Sequence, residues 1–395
     1  MKKIAVLVSN PCIIDARVIR ISEAEVNLGY EVKVFAILKE NTKEEEQKNG
    51  VFYKRIKWNL SGDVRKVIPK FIKIKKLKGF LVKRAAKFVK YDSFKNTFEE
   101  EILKYNPDII HAHDLITLPL GSTIKDKIGA KLIYDAHELE VYRNPPLPWY
   151  EKIWVKYIEK KYGKKADVVI TVNESIKSIL QNVFKNKKIY VIRNTPVIEK
   201  YQGPSLRKKL GFDENKKILL YVGKVSTNRG IDWVIKELDK INENIHFVCV
   251  GHRDEKYLEK LKNLAKKYKV QNRVHFLEPV AHQHVVDFIK DADVGICAIN
   301  PVSKSYFYSL PNKVFEMSMA GLPVIATDLP EIKKFLDEVG NGYYFSYKNP
   351  EKIHILVNEI MKNLDQINKK EIMKKSRKYA WENESKKIKK VLDEL

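Results

Sequence analysis

The stretch SYFYSLPNKVFEMSMAGLPVIA, residues 305–326, decides the fold. Its pattern predicts a loop, then a helix, then a short buried strand, which is the repeating unit of an α/β fold. Pro311 suits the first turn of the helix, Ser309 precedes it as a candidate cap, and Gly321 ends it. Free backbone N–H groups and a partial positive charge at the helix start favour an anion such as phosphate.

Glu316 lies about one turn inside this helix. A carboxylate at that position can accept hydrogen bonds from a ribose whose phosphates lie at the helix start. An ordinary α/β helix with an exposed glutamate explains the same residues. The stretch alone therefore leaves a nucleotide site and a purely structural helix both open.

The bulk composition excludes several classes of protein. The chain has 395 residues, of which 44% are hydrophobic, so it can build a core and is not disordered. Its three cysteines are far apart and form no CxxC pair, which fits a reducing cytoplasm and indicates neither a disulfide framework nor a zinc ribbon. The net charge of +25 attracts nucleic acid, anionic lipid or phosphorylated substrates without choosing among them.

The amino-terminal residues predict the start of a parallel sheet. Residues 3–8 and 31–37 have the pattern of strands and flank an amphipathic helix at about 15–28. The first apolar run is too short for a signal peptide, and no apolar segment approaches the ~20 residues of a membrane span. The loop that contains Asp15 and Arg17 lacks GxGxxG, so a dinucleotide site is disfavoured.

Two later strands end in similar polar residues. DIIHAHD (108–114) and KLIYDAHE (131–138) each run from an apolar strand into a polar loop. Such residues line the ligand crevice of an open parallel sheet. The candidate site residues here are His113, Asp114, His137 and Glu138. A zinc site and a purely structural role for these histidines remain open alternatives.

The second half of the chain predicts another α/β series. Residues 217–222 form a strand, and GKVSTNRG (223–230) is a loop that enters a helix. Lys224 and Arg229 project from this loop, and two cations facing a helix start suit a diphosphate. Asp291-Ala-Asp293 matches the DxD pattern of metal-dependent sugar transferases but falls at a helix-to-strand junction, where we interpret it as structural.

The predicted domains are residues 1–196, residues 205–368, and a carboxyl-terminal helix, 369–395, that packs back toward the first domain. A basic stretch at 64–90 interleaves lysines with apolar residues. It predicts helical segments that can bind an anionic membrane surface, although a solvated helix face has the same pattern. No recognisable nucleic-acid-binding module accompanies the charge, so no nucleic-acid partner is expected.

The motifs together resemble the large glycosyltransferase family four. They are Asp15-Ala-Arg17, His111-Ala-His113-Asp114, Tyr134-Asp-Ala-His137-Glu138, Gly223-Lys224 with Arg229-Gly230, and Ser309-Leu-Pro-Asn312-Lys313 with Glu316 and Gly321. The resemblance implies an α/β chain of the GT-B class, with two Rossmann-like doubly wound domains facing a cleft. Two departures stand out: the family's Arg-then-Lys order is reversed at Lys224 and Arg229, and Tyr308 occupies its first glutamate position.

The resemblance also implies a site and a reaction. It is a metal-independent transfer, with retention at the sugar carbon, from a nucleotide-diphosphate sugar to a lipid-linked, glycolipid or polysaccharide-precursor acceptor. The catalytic candidates are His137, Lys224 and Arg229. The donor-binding candidates are Gly223, Ser309, Leu310, Pro311, Asn312, Lys313 and Glu316. The acceptor-side candidates are Asp15, Arg17, His113, Asp114 and Glu138. No cofactor or metal is expected, and the location is the cytoplasm, peripheral at the inner face of the cell membrane.

Two rival functions remain at this stage. Nucleotide-sugar epimerases share the architecture but need carboxylates for proton transfer at the sugar, and few acids cluster at these strand ends. A basic nucleic-acid-binding protein would bind duplexes with a steep dependence on salt.

Overall fold

The computed structural model describes residues 1–67 and 75–395, with side chains outside residues 65–84. The chain divides into two compact units. The first comprises Met1–Arg193 together with Ser385–Leu395, and the second comprises Asn194–Glu384. This boundary lies between Arg193 and Asn194, whereas the predicted first domain ends at residue 196.

The described residues of the first unit form an eight-stranded sheet. Its strands are β1 (Lys3–Leu7), β2 (Glu31–Ile37), β3 (Glu45–Lys48), β4 (Val51–Ile56), β5 (Ile109–His113), β6 (Lys131–Ala136), β7 (Val168–Thr171) and β8 (Lys188–Val191). Its helices are α1 (Ala16–Asn27), α2 (Leu60–Val67), α3 (Lys75–Tyr105), α4 (Asp114–Ile128), α5 (Trp149–Gly163) and α6 (Glu174–Val183).

The strand order is β3-β4-β2-β1-β5-β6-β7-β8, and every pairing except β3 with β4 is parallel. β1 is almost wholly buried, which is why its sequence is a mostly apolar run rather than an alternating one, and β5 is buried although it contains His111 and His113. β1 lies where the order reverses, because β2 is on one side of it and β5 on the other.

An antiparallel hairpin closes one edge of this sheet. The sequence analysis missed β3, whose residues are mostly exposed and polar. Asn49 and Gly50 join the two strands with φ angles of 50° and 79°. An Asn-Gly pair with both φ values positive is typical of a two-residue hairpin turn, and this was the available signal.

The second unit contains a six-stranded parallel sheet of order β11-β10-β9-β12-β13-β14. Its strands are β9 (Lys217–Val222), β10 (Ile245–Val250), β11 (Val274–Leu277), β12 (Val294–Cys297), β13 (Val324–Thr327) and β14 (Gly342–Phe345). Its first helices are α7 (Leu206–Leu210), α8 (Ile231–Glu237), α9 (Glu255–Lys267), α10 (Val285–Phe288) and α11 (Lys304–Phe307). Its later helices are α12 (Asn312–Met319), α13 (Pro330–Val339), α14 (Ile353–Lys362), α15 (Lys369–Ser376) and α16 (Trp381–Glu384).

Side chains of β9 alternate between the two faces of this sheet. Ile218 and Leu220 pack in one hydrophobic cluster with α10, α12 and α13. Leu219 and Tyr221 pack in a second cluster with α8, α9 and α14. A doubly covered parallel sheet of this kind leaves only its strand ends open to ligands.

The single carboxyl-terminal helix predicted for residues 369–395 is wrong. The segment is broken into α15, α16 and a last helix, α17 (Lys386–Leu392), with a 3-10 turn at Arg377–Tyr379 between the first two. α15 packs in the second unit against α12, whereas α17 belongs to the first unit and contacts α1. Near the end of the chain, Glu394 accepts a hydrogen bond of 3.0 Å from the Tyr190 hydroxyl.

The basic stretch predicted at residues 64–90 lies partly outside the described residues, since 68–74 are not described and the side chains of 65–84 are not either. None of the helices in the described part of the chain combines the length and the hydropathy that a bilayer crossing requires.

Gly251 allows two loops of the second unit to touch. Its φ is 150°, and a Cβ at this position would lie 2.2 Å from the carbonyl oxygen of Gly223. We expect Gly251→Ala to lower the free energy of unfolding of the second unit by about 3 kcal/mol, because both strain and a backbone clash oppose the methyl group.

Gly211→Ala is the matched control, since Gly211 also has a positive φ, 65°, but nothing lies within 4 Å of an added Cβ. It should cost only about 1 kcal/mol. Urea denaturation followed by circular dichroism measures both values, and equal losses would contradict the close approach.

Candidate active site

Polar residues gather where the strand order of each sheet reverses. In the first unit these residues lie in the loops that follow β1, β5 and β6. In the second unit they lie in the loops that follow β9 and β12. Ligands of open parallel sheets bind outside the carboxyl ends of the strands at such a reversal. Both units therefore place their predicted site residues where this topology favours binding.

Three of these loops contain a residue other than glycine with a positive φ. Cys12 follows β1 with φ 52°, Asp114 follows β5 with φ 62°, and Asn228 follows β9 with φ 63°. Such conformations cost about 1–2 kcal/mol per residue and concentrate at functional sites. The strain supports a functional role for these strand ends.

Asp135 is the buried centre of the first unit's site. Arg17 donates to both of its oxygens, from Nε to Oδ2 at 2.8 Å and from Nη2 to Oδ1 at 2.7 Å. Arg17 also donates from Nη1 to the carbonyl of Ile192 at 2.6 Å. Burial opposes ionisation, but Arg17 and His137 hold the pKa of Asp135 well below its usual range. Asp135 is thus a permanent carboxylate.

His137 lies between two carboxylates. Its Nδ1 is 3.2 Å from Asp114 Oδ1, and its Nε2 is 3.4 Å from Asp135 Oδ2. Burial lowers the pKa of His137, but these two carboxylates outweigh burial and raise it to about 9. The ring is therefore an imidazolium at neutral pH, with both N–H groups directed at acceptors.

The neighbouring His113 is in the opposite state. Burial and the adjacent His111 ring lower the pKa of His113 to about 3, so it is neutral. Its Nδ1 is 3.1 Å from Asp135 Oδ2, to which the neutral ring can donate its N–H, and 3.0 Å from His137 Nε2. The ends of β5 and β6 are adjacent, because His113 and Asp135 lie opposite each other in the parallel register of the two strands.

A metal centre was the alternative interpretation of these histidines. Ligand atoms of His111, His113 and Asp135 lie within 4.8 Å of one another. Both Asp135 oxygens, however, are engaged by Arg17, and His111 Nδ1 is held 2.7 Å from Glu25. A cation here would meet the Arg17 guanidinium and the His137 imidazolium, so this donor set does not fit a metal ion.

Arg17 differs from the expectation that it contacts an acceptor. Arg17 is only 3% exposed and fully occupied by Asp135 and Ile192, so it positions other groups. Asp15 caps α1 by accepting from the Val18 N–H at 3.3 Å. Asp15 and Glu138 are partly exposed, as contact with a ligand requires.

Lys313 is the buried cation of the second unit. It lies in the first turn of α12, is 8% exposed, and places Nζ 3.5 Å from the centroid of the Tyr221 ring. Burial is the main reason that its pKa falls to about 7. In the described part of the chain no carboxylate lies within salt-bridge distance of this ammonium, so a bound anion would compensate it.

Gly223 borders the same group. Its φ is 117°, and an added Cβ would lie 3.4 Å from Lys313 Nζ. A glycine here therefore allows close approach to the Lys313 ammonium.

The two predicted loop cations have different surroundings. The guanidinium of Arg229 lies 5.3 Å from the centroid of the Tyr306 ring, and its charge helps to lower the pKa of Lys313. Lys224 is exposed, while its carbonyl accepts a hydrogen bond of 2.8 Å from the Tyr221 hydroxyl. The positive charges of Arg229 and Lys313 thus act on each other, and Lys224 is the solvent-exposed cation of the three.

The start of α12 differs in detail from the prediction. Pro311 is the N-cap residue and supplies no side-chain cap to the first-turn N–H groups. Ser309 is not the cap, because its hydroxyl donates to the carbonyl of Tyr306 at 2.8 Å. Leu310 packs against the core, and Asn312 begins the helix. Glu316 is buried one turn later and contributes to the field at Lys313.

Asp293 is structural, as the sequence analysis interpreted it. Arg207 Nη2 donates to its Oδ2 at 2.9 Å, and the Ile218 N–H donates to the same atom at 2.7 Å. The DxD pattern therefore anchors β9 and α7.

Sequence reasoning did not assign site roles to four residues: Glu25, His111, Asp135 and Tyr221. Glu25 is wholly buried on α1, and its signal was an acid on the apolar face of an amphipathic helix. Asp135 was quoted within its motif, but its pairing with Arg17 joins residues 118 positions apart and has no local signature.

Two parallel-sheet α/β units, each with its candidate site at the strand-order reversal, define the GT-B class of glycosyltransferase, as predicted. Residues 15–195 match the family model described as Glycosyltransferase Family 4, and residues 203–380 match Glycosyl transferases group 1. The chain belongs to glycosyltransferase family four.

Individual relatives are distant. An uncharacterised glycosyltransferase of Methanocaldococcus jannaschii is 24% identical over 294 residues, covering 70% of this chain and 72% of the relative. The alpha-monoglucosyldiacylglycerol synthase of Streptococcus pneumoniae is 26% identical over 262 residues, covering 62% and 58%. The crystal structure of Anabaena HepE with UDP and glucose covers both chains fully, with a TM-score of 0.70 and 16% identity.

The charge of His137 gives a direct test of the first unit's site. Asp114→Asn removes one of the two carboxylates that raise the pKa of His137, so we expect this pKa to fall by about one unit or more. Its charged form should then be lost at lower pH than in the wild type. Titration of the imidazole Cε1–H signal by NMR measures the shift.

Asp126→Asn is the control, because Asp126 forms an exposed pair with Lys165. A His137 pKa that stayed near 9 in Asp114→Asn would show that Asp114 does not hold the imidazolium.

Proposed function

We propose that this protein is a retaining hexosyltransferase that moves a sugar from a nucleotide-diphosphate sugar to a lipid-linked, glycolipid or polysaccharide-precursor acceptor. The observation that carries the proposal is the buried, carboxylate-free ammonium of Lys313 at the start of α12, beside Arg229. A diphosphate supplies the negative charge that this arrangement lacks. The UDP and glucose bound to Anabaena HepE support a donor of this class.

The chemical task is to stabilise the departing diphosphate. Lys313, Arg229 and Lys224 provide cations, and the uncapped first turn of α12 provides N–H groups directed along a favourable dipole. These groups suffice for charge stabilisation without a metal ion, so the proposed reaction is metal-independent. We also propose that Glu316, about one turn after the start of α12, accepts hydrogen bonds from the ribose.

His137 is proposed to contact the transferred sugar. As an imidazolium held by Asp114 and Asp135, it offers fixed positive charge at a strand end whose backbone is strained at Asp114. Glu138 and Asp15, which are partly exposed, would complete the acceptor side, whereas His113 is wholly buried and would only support His137. The name of the pneumococcal relative, alpha-monoglucosyldiacylglycerol synthase, supports a lipid acceptor. We also propose a peripheral place at the inner face of the cell membrane, where such an acceptor would lie.

The nucleotide is identified first, by a thermal-shift screen of UDP, GDP and ADP sugars, because a ligand at a hundredfold its Kd stabilises by about 2.7 kcal/mol. With the best donor, Lys224→Ala/Arg229→Ala should lower the rate of sugar transfer at least about a hundredfold, since two cations are lost from the diphosphate site. Transfer of radiolabelled sugar to membrane lipid extract or glycan precursor is the measurement.

The matched control is Lys334→Ala/Lys348→Ala, which removes the same charge from exposed positions of the same unit. Its transfer rate should equal that of the wild type. Normal transfer by Lys224→Ala/Arg229→Ala, with an unchanged melting temperature, would rule out this donor site.

Lys313 predicts a pH dependence of donor binding. Its pKa of about 7 means that the free protein loses this charge as the pH rises above neutrality, whereas a bound diphosphate favours the ammonium. UDP affinity should therefore fall between about pH 7 and pH 9, and binding at pH 8 should take up a proton. Titration calorimetry in buffers of different ionisation enthalpy measures that uptake.

Lys313→Met should bind UDP weakly and without this proton uptake, and Lys334→Met should behave as the wild type. Proton uptake that persisted in Lys313→Met would assign it to another group.

A further inference from the structure

Helix α5 carries a row of large apolar side chains in contact with solvent. Trp149, Ile153 and Tyr157 are 75%, 63% and 51% exposed. Their spacing of four residues places them on one face of the helix. Single exposed apolar residues are ordinary, but three in a row on one helix mark an interaction surface. We call this row, with the lysines between and beside its members, the α5 face.

Every acid of α5 turns away from this face. Glu151 is buried and pairs with Lys87 of α3, and Glu159 is buried and accepts from the Tyr134 hydroxyl at 3.0 Å. Burial raises the pKa of Glu159 to about 7, which weakens its negative charge further. The charged residues of α5 that remain toward solvent are all cationic: Lys152, Lys156, Lys160 and Lys161.

A second cationic group lies beside the same helix. A cavity of about 180 Å³ is lined by Lys87, Lys90 and Arg143, together with Phe88 and Trp154, whose rings are 5.6 Å apart. The one acid in its wall is Glu151, which Lys87 already neutralises. Arg143 lies 3.6 Å from Glu140, so two of the three cations of this wall are paired with carboxylates and the wall contains no uncompensated carboxylate.

We infer that the α5 face docks onto the surface of an anionic lipid bilayer, with the helix lying in the plane of the interface. Trp and Tyr rings favour the boundary between head groups and acyl chains. Lysines with long stems can reach lipid phosphates while the apolar row enters the boundary. The charge complementarity selects this partner, because each lysine near a negatively charged leaflet adds attraction.

This inference rests on the proposed function only for its purpose, since a membrane-bound acceptor would explain the surface. Its location differs from the basic stretch at 64–90, because the α5 face consists of residues 149–161. Vesicle binding requires neither donor nor acceptor. The docking surface and the transfer reaction can therefore fail separately.

The test is co-sedimentation of the full chain with vesicles of phosphatidylcholine alone or with about one third phosphatidylglycerol. We expect binding to the anionic vesicles that weakens at high salt. Trp149→Ser/Ile153→Ser should bind at least about tenfold more weakly, because the apolar anchor is lost. Lys156→Glu/Lys160→Glu should also bind at least about tenfold more weakly, since both charges are reversed. UDP binding should stay unchanged in both variants.

Two control variants match these changes elsewhere on the surface. Phe52→Ser/Ile355→Ser removes two other exposed apolar side chains, and Lys48→Glu/Lys185→Glu reverses two other exposed lysines. Both should bind vesicles as the wild type does. A wild type that ignores anionic vesicles, or control variants that lose as much binding as the α5 variants, would overturn the inference.

The competing occupant is a second copy of this chain. Sedimentation velocity without lipid distinguishes the two occupants. A wild-type dimer that becomes a monomer in Trp149→Ser/Ile153→Ser would assign the α5 face to self-association and overturn the inference of bilayer docking. A monomer, together with the vesicle results expected above, supports the bilayer. A wild type that does not bind UDP would contradict the proposed donor site, and the vesicle result would remain valid.

Discussion

The candidate site of the first unit depends on the compensation of one buried negative charge. A carboxylate removed from water costs several kcal/mol unless it is paired and hydrogen-bonded. Asp135 meets this requirement through the two-pronged contact with Arg17, and the guanidinium in turn is fixed by the carbonyl of Ile192. The charge of His137 follows, because an imidazolium at this position lies between Asp135 and Asp114. The strand ends β5 and β6 are therefore joined by electrostatics as well as by the sheet.

The second unit uses the opposite arrangement. Lys313 is buried on the face of the Tyr221 ring instead of on a carboxylate, and Arg229 adds a like charge nearby. A ring face attracts a cation but does not neutralise it. The first site pairs its charges within the protein, whereas our proposal assigns the compensation of the second site to an anionic ligand. This difference is why an anionic substrate is assigned to the second unit.

Much of this structure follows from local sequence. The apolar runs gave the parallel strands and Gly321 gave the end of α12, whereas the GT-B class was implied by the resemblance of the motifs to glycosyltransferase family four. The hairpin strand β3 was missed because its residues are polar on both faces. The carboxyl-terminal segment was misassigned because its helical periodicity continues across breaks that tertiary packing imposes on it, first by α12 and then by α1.

The site was less predictable than the fold. Residue types at strand ends marked the loops in which the structure gathers polar side chains, but the roles within them depend on contacts between distant positions. Arg17 was predicted to contact the acceptor, and its burial becomes evident only from its pairing with Asp135 in the structure. Lys313 was predicted as one of seven donor-binding residues, and only its burial in the structure distinguishes it from the exposed Lys224. Periodicity carries no information on either point.

The contact between Gly251 and the Gly223 carbonyl has a consequence for altering sugar preference. Backbone lies directly against backbone there, so Gly251 offers no room for a side chain, and the φ of 117° at Gly223 disfavours one. Evolution or engineering must therefore retune selectivity from other residues around the strand ends. Those after β12, where Tyr306, Tyr308 and Asn312 are partly exposed, are the accessible choice. The glycine contact is the fixed part of the scaffold, and the aromatic loop beside α12 is the part free to diversify.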